Sequence, residues 1–294
     1  MKKFLLVCLA VFLFLCLVSC ESDTEIDTPA DPDIIIEESD PSITPKDEVT
    51  EEEEQIVDTK KPDGALEIIA FADEYNLDTS RLGFSLEGIL EDTQLSEGDE
   101  VGDEYLSSTA YLGDSVTLGL GVFGNHPKEL VIAKGSINPL DAVQKKLIEL
   151  DDTTTVNFPE ALSKLDAKRA VLTFGANAIS IMSEESFLNA YIMLIDEIKK
   201  TCPDCEIIIQ SISPIASTAT FKKFTNELIN RSNLLLLVLA YSKDAHFLNS
   251  APELKDADGY LKIELCSSDD GVHINEAGYN IWINYLKTHP LTEE

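Results

Sequence analysis

The sequence predicts an α/β domain, a parallel sheet covered by helices on both faces. Two observations carry that prediction. From residue 108 onward, apolar runs of strand length alternate with amphipathic stretches of helix length. Residues 64–294 are also enough chain for one domain with a large core. The runs at 109–112, 130–133, 170–174, 206–212 and 246–248 read as strands, and stretches near 116–122, 139–150, 184–201, 221–243 and 276–287 read as helices. Such alternation calls for a parallel sheet between helices. Open sheets of this kind take their ligands at the carboxyl ends of the strands. Chemistry is therefore expected at that edge.

The start of the chain predicts its address. Lys2 and Lys3 precede an apolar run from Phe4 to Val18, interrupted only by Cys8 and Cys16. A membrane span needs roughly 20 apolar residues, so this shorter run reads as a signal-peptide core. It ends in Leu17-Val18-Ser19-Cys20, which resembles a bacterial lipobox. That resemblance implies cleavage before Cys20 and lipidation of its new amino terminus. An uncleaved anchor helix is the alternative. Both put the protein outside the cytoplasm and on a membrane, at the cell surface or in the periplasm.

Residues 21–63 are rich in Asp, Glu, Thr and Pro, carry Glu51 to Glu54 in a row, and have a single apolar cluster at Ile34-Ile35-Ile36. Such a stretch buries too little apolar surface to offset chain entropy, and its charges extend it. It is expected to be a disordered tether from Cys20. The formal net charge of −32 argues against nucleic-acid partners and against docking on anionic lipid heads. Residues 64–107 read as an N-terminal extension packed on the domain, with an amphipathic helix near 66–75 and no clear period over 85–104.

Cys202 and Cys205 form a C-x-x-C between a helix and a strand, with Cys266 apart from them. No second C-x-x-C or His pair accompanies them, so zinc is not expected. A local disulfide pinning the turn is the preferred reading, with a pair of free thiols close behind. The acidic run Asp256-Ala257-Asp258-Gly259 fails the calcium-loop spacing, because Leu254 and Leu265 occupy its first and last ligand positions. Asp258-Gly259 reads instead as a hairpin turn.

Four places could carry chemistry. The first strand ends in Gly113-Asp114-Ser115, where a serine meets a helix N-terminus and its free N–H groups. A turn capped by Asp114 or Ser115 is the bland alternative. The second strand ends in Ala133-Lys134-Gly135-Ser136, where a glycine N–H would be unobstructed. The third ends in Gly175-Ala176-Asn177, whose amide could face the same edge or merely cap a turn. Before the last helix stands Asp270-Gly271-Val272-His273-Ile274-Asn275. At this spacing a carboxylate can orient an imidazole to act as general base toward a serine hydroxyl. Asn275 would cap the helix.

Taken in order, these blocks resemble those of the SGNH (GDSL) hydrolases over residues 109–286, essentially the whole folded domain. The resemblance implies a flavodoxin-like three-layer α/β/α sandwich with a five-stranded parallel sheet. It also implies Ser115 as nucleophile, His273 as general base and Asp270 as the carboxylate that orients it. The Ser115 and Gly135 N–H groups and the Asn177 amide would form the oxyanion hole, with no metal and no cofactor. The G-x-S-x-G elbow of α/β-hydrolases is excluded, since Thr117 stands at its last glycine. One departure is Ala178, where many members of the family have Asp after the asparagine.

The function expected is a serine esterase or acylhydrolase acting outside the cytoplasm. Its substrate would be a small ester or an acylated envelope polysaccharide from which acyl groups such as acetyl are removed. The alternatives are an acyl transferase and a surface binding lipoprotein without turnover. No hydrophobic lid segment suggests long acyl chains.

Overall fold

A computed structural model of the chain describes residues 61–74, 90–123, 125–267 and 270–291. The signal-like segment, Cys20 and the acidic stretch as far as residue 60 lie outside the described residues, as do residues 75–89. Among the described residues no helix is long and apolar enough to cross a membrane.

The elements follow in chain order: α1 (Ala65–Glu74), α2 (Asp103–Ser107), β1 (Thr109–Gly113), α3 (Ser115–Phe123), β2 (Val131–Ala133) and α4 (Pro139–Gln144). Next come β3 (Ile148–Glu149), β4 (Thr155–Val156), α5 (Phe158–Leu162), β5 (Arg169–Thr173), α6 (Glu184–Thr201) and β6 (Glu206–Gln210). The last are α7 (Asn226–Ser242), β7 (His246–Leu248), α8 (Ala251–Leu254) and α9 (Glu276–Thr288). Five strands form one sheet in the order β2-β1-β5-β6-β7, and every pair is parallel. Tyr111 pairs with Val131 on one side and Val171 on the other.

Every residue of β1 is buried, as a strand covered on both faces must be. Period-two alternation therefore divides the sheet between two apolar layers. Ala110, Leu112, Ala170, Leu172, Ile207 and Ile209 face a core that includes Ile68 of α1, Ala142 of α4, Phe158 of α5, Leu194 of α6 and Leu235 of α7. Tyr111, Val171 and Ile208 face the other, with Leu120 of α3 and Tyr279 and Trp282 of α9. The expected five-stranded α/β/α sandwich is the observed fold.

Several boundaries differ from expectation, each for a local reason. The helix expected over 139–150 stops at Gln144, and Ile148–Glu149 pairs antiparallel with Thr155–Val156. Asp151 turns that hairpin by accepting the Thr153 N–H at 2.8 Å. The strand expected over 206–212 ends at Gln210, because the Asn233 side chain takes the Ile212 N–H (2.7 Å) and donates to its carbonyl (3.1 Å). The helix expected from 221 starts at Asn226, where Thr225 accepts the Leu228 N–H. Phe221 and Phe224 are thereby freed to line a surface cleft. Before β1, Thr93 and Leu95 bond to both sides of Phe247, extending the sheet edge beyond β7.

The turn at Cys202 is also corrected. Cys202 and Cys205 are free thiols, so the expected disulfide is not formed. A backbone bond from Cys205 N–H to the Cys202 carbonyl (3.1 Å) closes the turn, and the two sulfurs point to Thr201 and to the Glu206 carbonyl. By contrast, Asp258-Gly259 does form a hairpin turn, with Gly259 at φ +86 and Asp256 accepting the N–H groups of Asp258 and Tyr260.

Candidate active site

Gly113 sets the first corner of the site. A Cβ there would lie 1.9 Å from Thr117 Oγ1 and 2.3 Å from Thr173 Oγ1. These hydroxyls stand 2.5 Å apart, and Thr173 also donates to the Leu112 carbonyl. Only glycine lets β1, β5 and the first turn of α3 approach so closely. Ser115 then begins α3 directly beyond the strand. Its N–H is a first-turn group with no partner inside the helix.

Asp114 turns inward instead. It is 1 % exposed and accepts the Val116 N–H at 3.0 Å. Burial pushes its carboxyl up to about 6, against the opposing pull of the Val116 and Gly175 N–H groups, the His273 charge and the Asn177 amide.

The loop before α9 brings the other partners. His273 Nε2 lies 3.0 Å from Ser115 Oγ, and His273 Nδ1 lies 2.7 Å from Asp270 Oδ2. The second oxygen of Asp270 accepts the N–H groups of Val272 (2.8 Å) and His273 (3.1 Å). One carboxylate thus shapes the loop and orients the ring. With Nδ1–H donated to Asp270, Nε2 carries the lone pair that faces the serine hydroxyl. The loop is tied down by Ala216 N–H to the Gly271 carbonyl (2.8 Å) and by Ser267 N–H to the His273 carbonyl (2.8 Å). Asn275 caps α9 by accepting the Ala277 and Gly278 N–H groups. Gly271 sits at φ +70, which favours glycine, and the Ala216 and Ala219 side chains crowd its Cβ position.

Gly135 lies in the exposed turn after β2, and a Cβ there would meet nothing within 4 Å. Ser136 beside it holds φ +58, an uncommon left-handed backbone for a residue with a side chain. Asn177 follows β5, and its Nδ2 is buried without a hydrogen-bond partner among the described residues. The amide lies close enough to Asp114 to favour ionisation there, yet Asp114 Oδ2 is likewise unpartnered among the described residues. A buried donor without an acceptor is uncommon and calls for a role. Ala178, the departure noted from the resembled pattern, is wholly buried in the core.

Two other histidines serve structure. His126 is buried and bonds the Thr109 carbonyl, and His289 stacks on Tyr285.

The model of the GDSL-like Lipase/Acylhydrolase family matches residues 111–281. The chain belongs to this family. In this GDSL-like acylhydrolase the matched span runs from β1 into α9 and so contains Ser115, Gly135, Asn177, Asp270 and His273. The comparison with curated proteins gives no match.

Among solved structures, the chain is similar to a putative platelet activating factor from Streptococcus pneumonia, with 20% identity and TM-score 0.49 over 63% of this chain and 88% of that one. It is similar to a putative acylhydrolase from Bacteroides fragilis, with 16% identity and TM-score 0.47 over 68% and 93% of the two chains. A GDSL-like lipase from Bacteroides thetaiotaomicron is similar at 15% identity and TM-score 0.45, over 65% and 90%.

Sequence reasoning did not single out Gly119, Tyr279 or the burial of Asp114. Gly119 did offer a signal, since a glycine inside an apolar helix pattern can mark a close neighbour. That neighbour is Tyr279, whose hydroxyl would stand 2.0 Å from a Cβ at position 119.

Proposed function

We propose that this GDSL-like acylhydrolase is a serine esterase acting outside the cytoplasm from a lipid anchor at Cys20. In this reading Ser115 Oγ attacks the ester carbonyl carbon while His273 Nε2 takes its proton. Asp270 holds the ring and stabilises the imidazolium that forms. The Ser115 and Gly135 N–H groups and the Asn177 amide receive the oxyanion. The tetrahedral adduct collapses as His273 returns the proton to the leaving alcohol. Water then attacks the acyl-serine by the same route, giving the carboxylic acid and free Ser115. The observation that carries this reading is the unbroken chain Asp270–His273–Ser115, at 2.7 and 3.0 Å.

The substrate proposed is an acylated glycan of the cell envelope, acetyl being the simplest acyl group. The lipobox-like Leu17-Val18-Ser19-Cys20 and the acidic stretch after it support action at a membrane-tethered distance.

The test is hydrolysis of p-nitrophenyl acetate and butyrate by the chain and by Ser115→Ala, with labelling by a fluorophosphonate. Turnover and labelling are expected in the parent and neither in the variant. A folded parent that neither turns over nor labels would overturn the esterase. Palmitate incorporation in cells, lost in Cys20→Ala, tests the anchor.

A further inference from the structure

A cleft of about 800 Å³ opens beside the Asp270–His273 loop. Its walls are the segment after β6, the start of α7 and the hairpin after α8. Ile215 and Ala216 belong to the cleft wall and to the support of the candidate site at once. The Leu261 N–H of the hairpin donates to the Ile215 carbonyl at 3.0 Å, and the Ala216 N–H donates to Gly271 at 2.8 Å. The cleft and the histidine loop are thus two sides of one strip of backbone.

The lining is mixed in a specific way. Phe221 and Tyr260 are each 40% exposed, unusual for large rings in a folded domain. Phe221 packs edge-on against the buried Phe224, with ring centres 6.3 Å apart at 78°. Tyr260 follows the Gly259 turn, and its N–H is fixed by Asp256 at 2.9 Å. Around the rings stand the amide of Asn230, the carboxylates of Glu227 and Asp258, and the Lys255 ammonium, which donates to Asn230 Oδ1 at 2.9 Å.

An acyl chain would want continuous apolar walls, and this cleft interrupts them with amides and charges. A strongly anionic ligand would meet Glu227 and Asp258 on a chain of net charge −32. Exposed rings beside amide and carboxylate groups suit a ligand with apolar ring faces and many hydroxyls. The volume exceeds what an acetyl group needs and falls in the range of sites that enclose whole organic ligands.

We infer that this cleft binds a neutral sugar residue of the acylated glycan, next to the one whose ester reaches Ser115, with Phe221 and Tyr260 as its stacking faces. The inference rests on the esterase reading for its chemistry and on the cleft alone for its binding.

The experiment has a binding arm and a kinetic arm. Binding of O-acetylated xylotetraose and O-acetylated mannotetraose to Ser115→Ala is measured by calorimetry, with Phe221→Ala and Tyr260→Ala added singly. At least one saccharide is expected to bind, and each ring removal to weaken it about tenfold. In the active chain, the ratio of kcat/KM for that saccharide over p-nitrophenyl acetate should fall about tenfold in each ring variant, through KM. Circular dichroism checks that the variants fold. Tyr260→Phe keeps the stacking face and should restore most of the ratio. No binding of either tetrasaccharide at millimolar concentration, or ring variants that bind them as the parent does, would overturn the inference. Loss of p-nitrophenyl acetate turnover and of fluorophosphonate labelling, with saccharide binding kept, would instead remove the esterase and leave the sugar site standing.

Discussion

The Tyr279 hydroxyl donates to the Val116 carbonyl at 2.5 Å, one residue beyond Ser115. This bond joins α9, which follows His273, to α3, which starts at Ser115. It therefore helps set the distance between Ser115 and His273 from behind the site. Gly119 gives the tyrosine room. Tyr279→Phe should cost about 0.5–1.5 kcal/mol, the typical net worth of one hydrogen bond, since the Val116 carbonyl keeps its partner in the α3 ladder. Gly119→Ala, which forces a Cβ against the ring, should cost more. Urea unfolding checks both, and a Gly119→Ala chain as stable as the parent would contradict the packing.

Asp270 should act through the ring it holds. Asp270→Asn can still accept a backbone N–H, but it no longer selects the Nδ1–H tautomer or stabilises the imidazolium. A fall in kcat of about 10³–10⁴ on p-nitrophenyl butyrate is expected, with KM nearly constant. A fall below tenfold would mean that Asp270 only shapes the loop.

Asn177 has a buried Nδ2 without a hydrogen-bond partner among the described residues. If it meets the oxyanion, Asn177→Ala should lower kcat by about 10²–10³ and leave KM almost unchanged. A change confined to thermal stability would make it a turn residue instead.

Asp114 gives a pH signature. Its carboxyl is raised from 3.8 to about 6 by burial, so the folded state holds its proton more tightly than the unfolded state. Stability then declines as pH climbs from about 4 through about 6, by an amount on the order of 3 kcal/mol. Asp114→Asn cannot ionise, and its nearest hydrogen bond, from Val116 N–H, survives on the amide oxygen. The stability of the variant relative to the parent should therefore improve across that window and level off above it. Urea unfolding at pH 4, 5, 6 and 7.5 checks this, and a difference independent of pH would contradict it.

Ala178 has no exposed surface and packs in the core. Ala178→Asp would bury a carboxyl there, at a cost of about 2–4 kcal/mol without a full set of partners. A lower melting temperature with no gain in kcat is expected. Higher kcat at unchanged stability would show that the core there accepts the acid.

Much of this was legible in the chain. Asp270 and His273 are three residues apart, so their contact is a local matter that spacing can reveal. The five strands were legible because each is an apolar run with turn residues at its ends. The N-cap of α9 at Asn275 was readable for the same reason. Errors fell at element boundaries that a capturing side chain or a pairing partner sets. Asn233 ends β6 by capturing Ile212, Thr225 delays α7 past Phe224, and Thr155–Val156 draws Ile148–Glu149 out of a helix. At Cys202 and Cys205 the expected disulfide is replaced by two free thiols, a choice that spacing alone left open.

The sequence by itself determined the order of the five sheet strands and the longer helices between them, and which residues stand at the carboxyl edge. Hydrophobic periodicity and turn chemistry act over a few residues, and the rules of parallel sheets do the rest. Only the tertiary structure decided that Asp114 is buried while Ser115 is reachable, that Tyr279 fills the space left at Gly119, and that Phe221 and Tyr260 share one cleft. These depend on side chains far apart in the chain meeting at a few ångströms, where close packing allows one arrangement and local pattern specifies none.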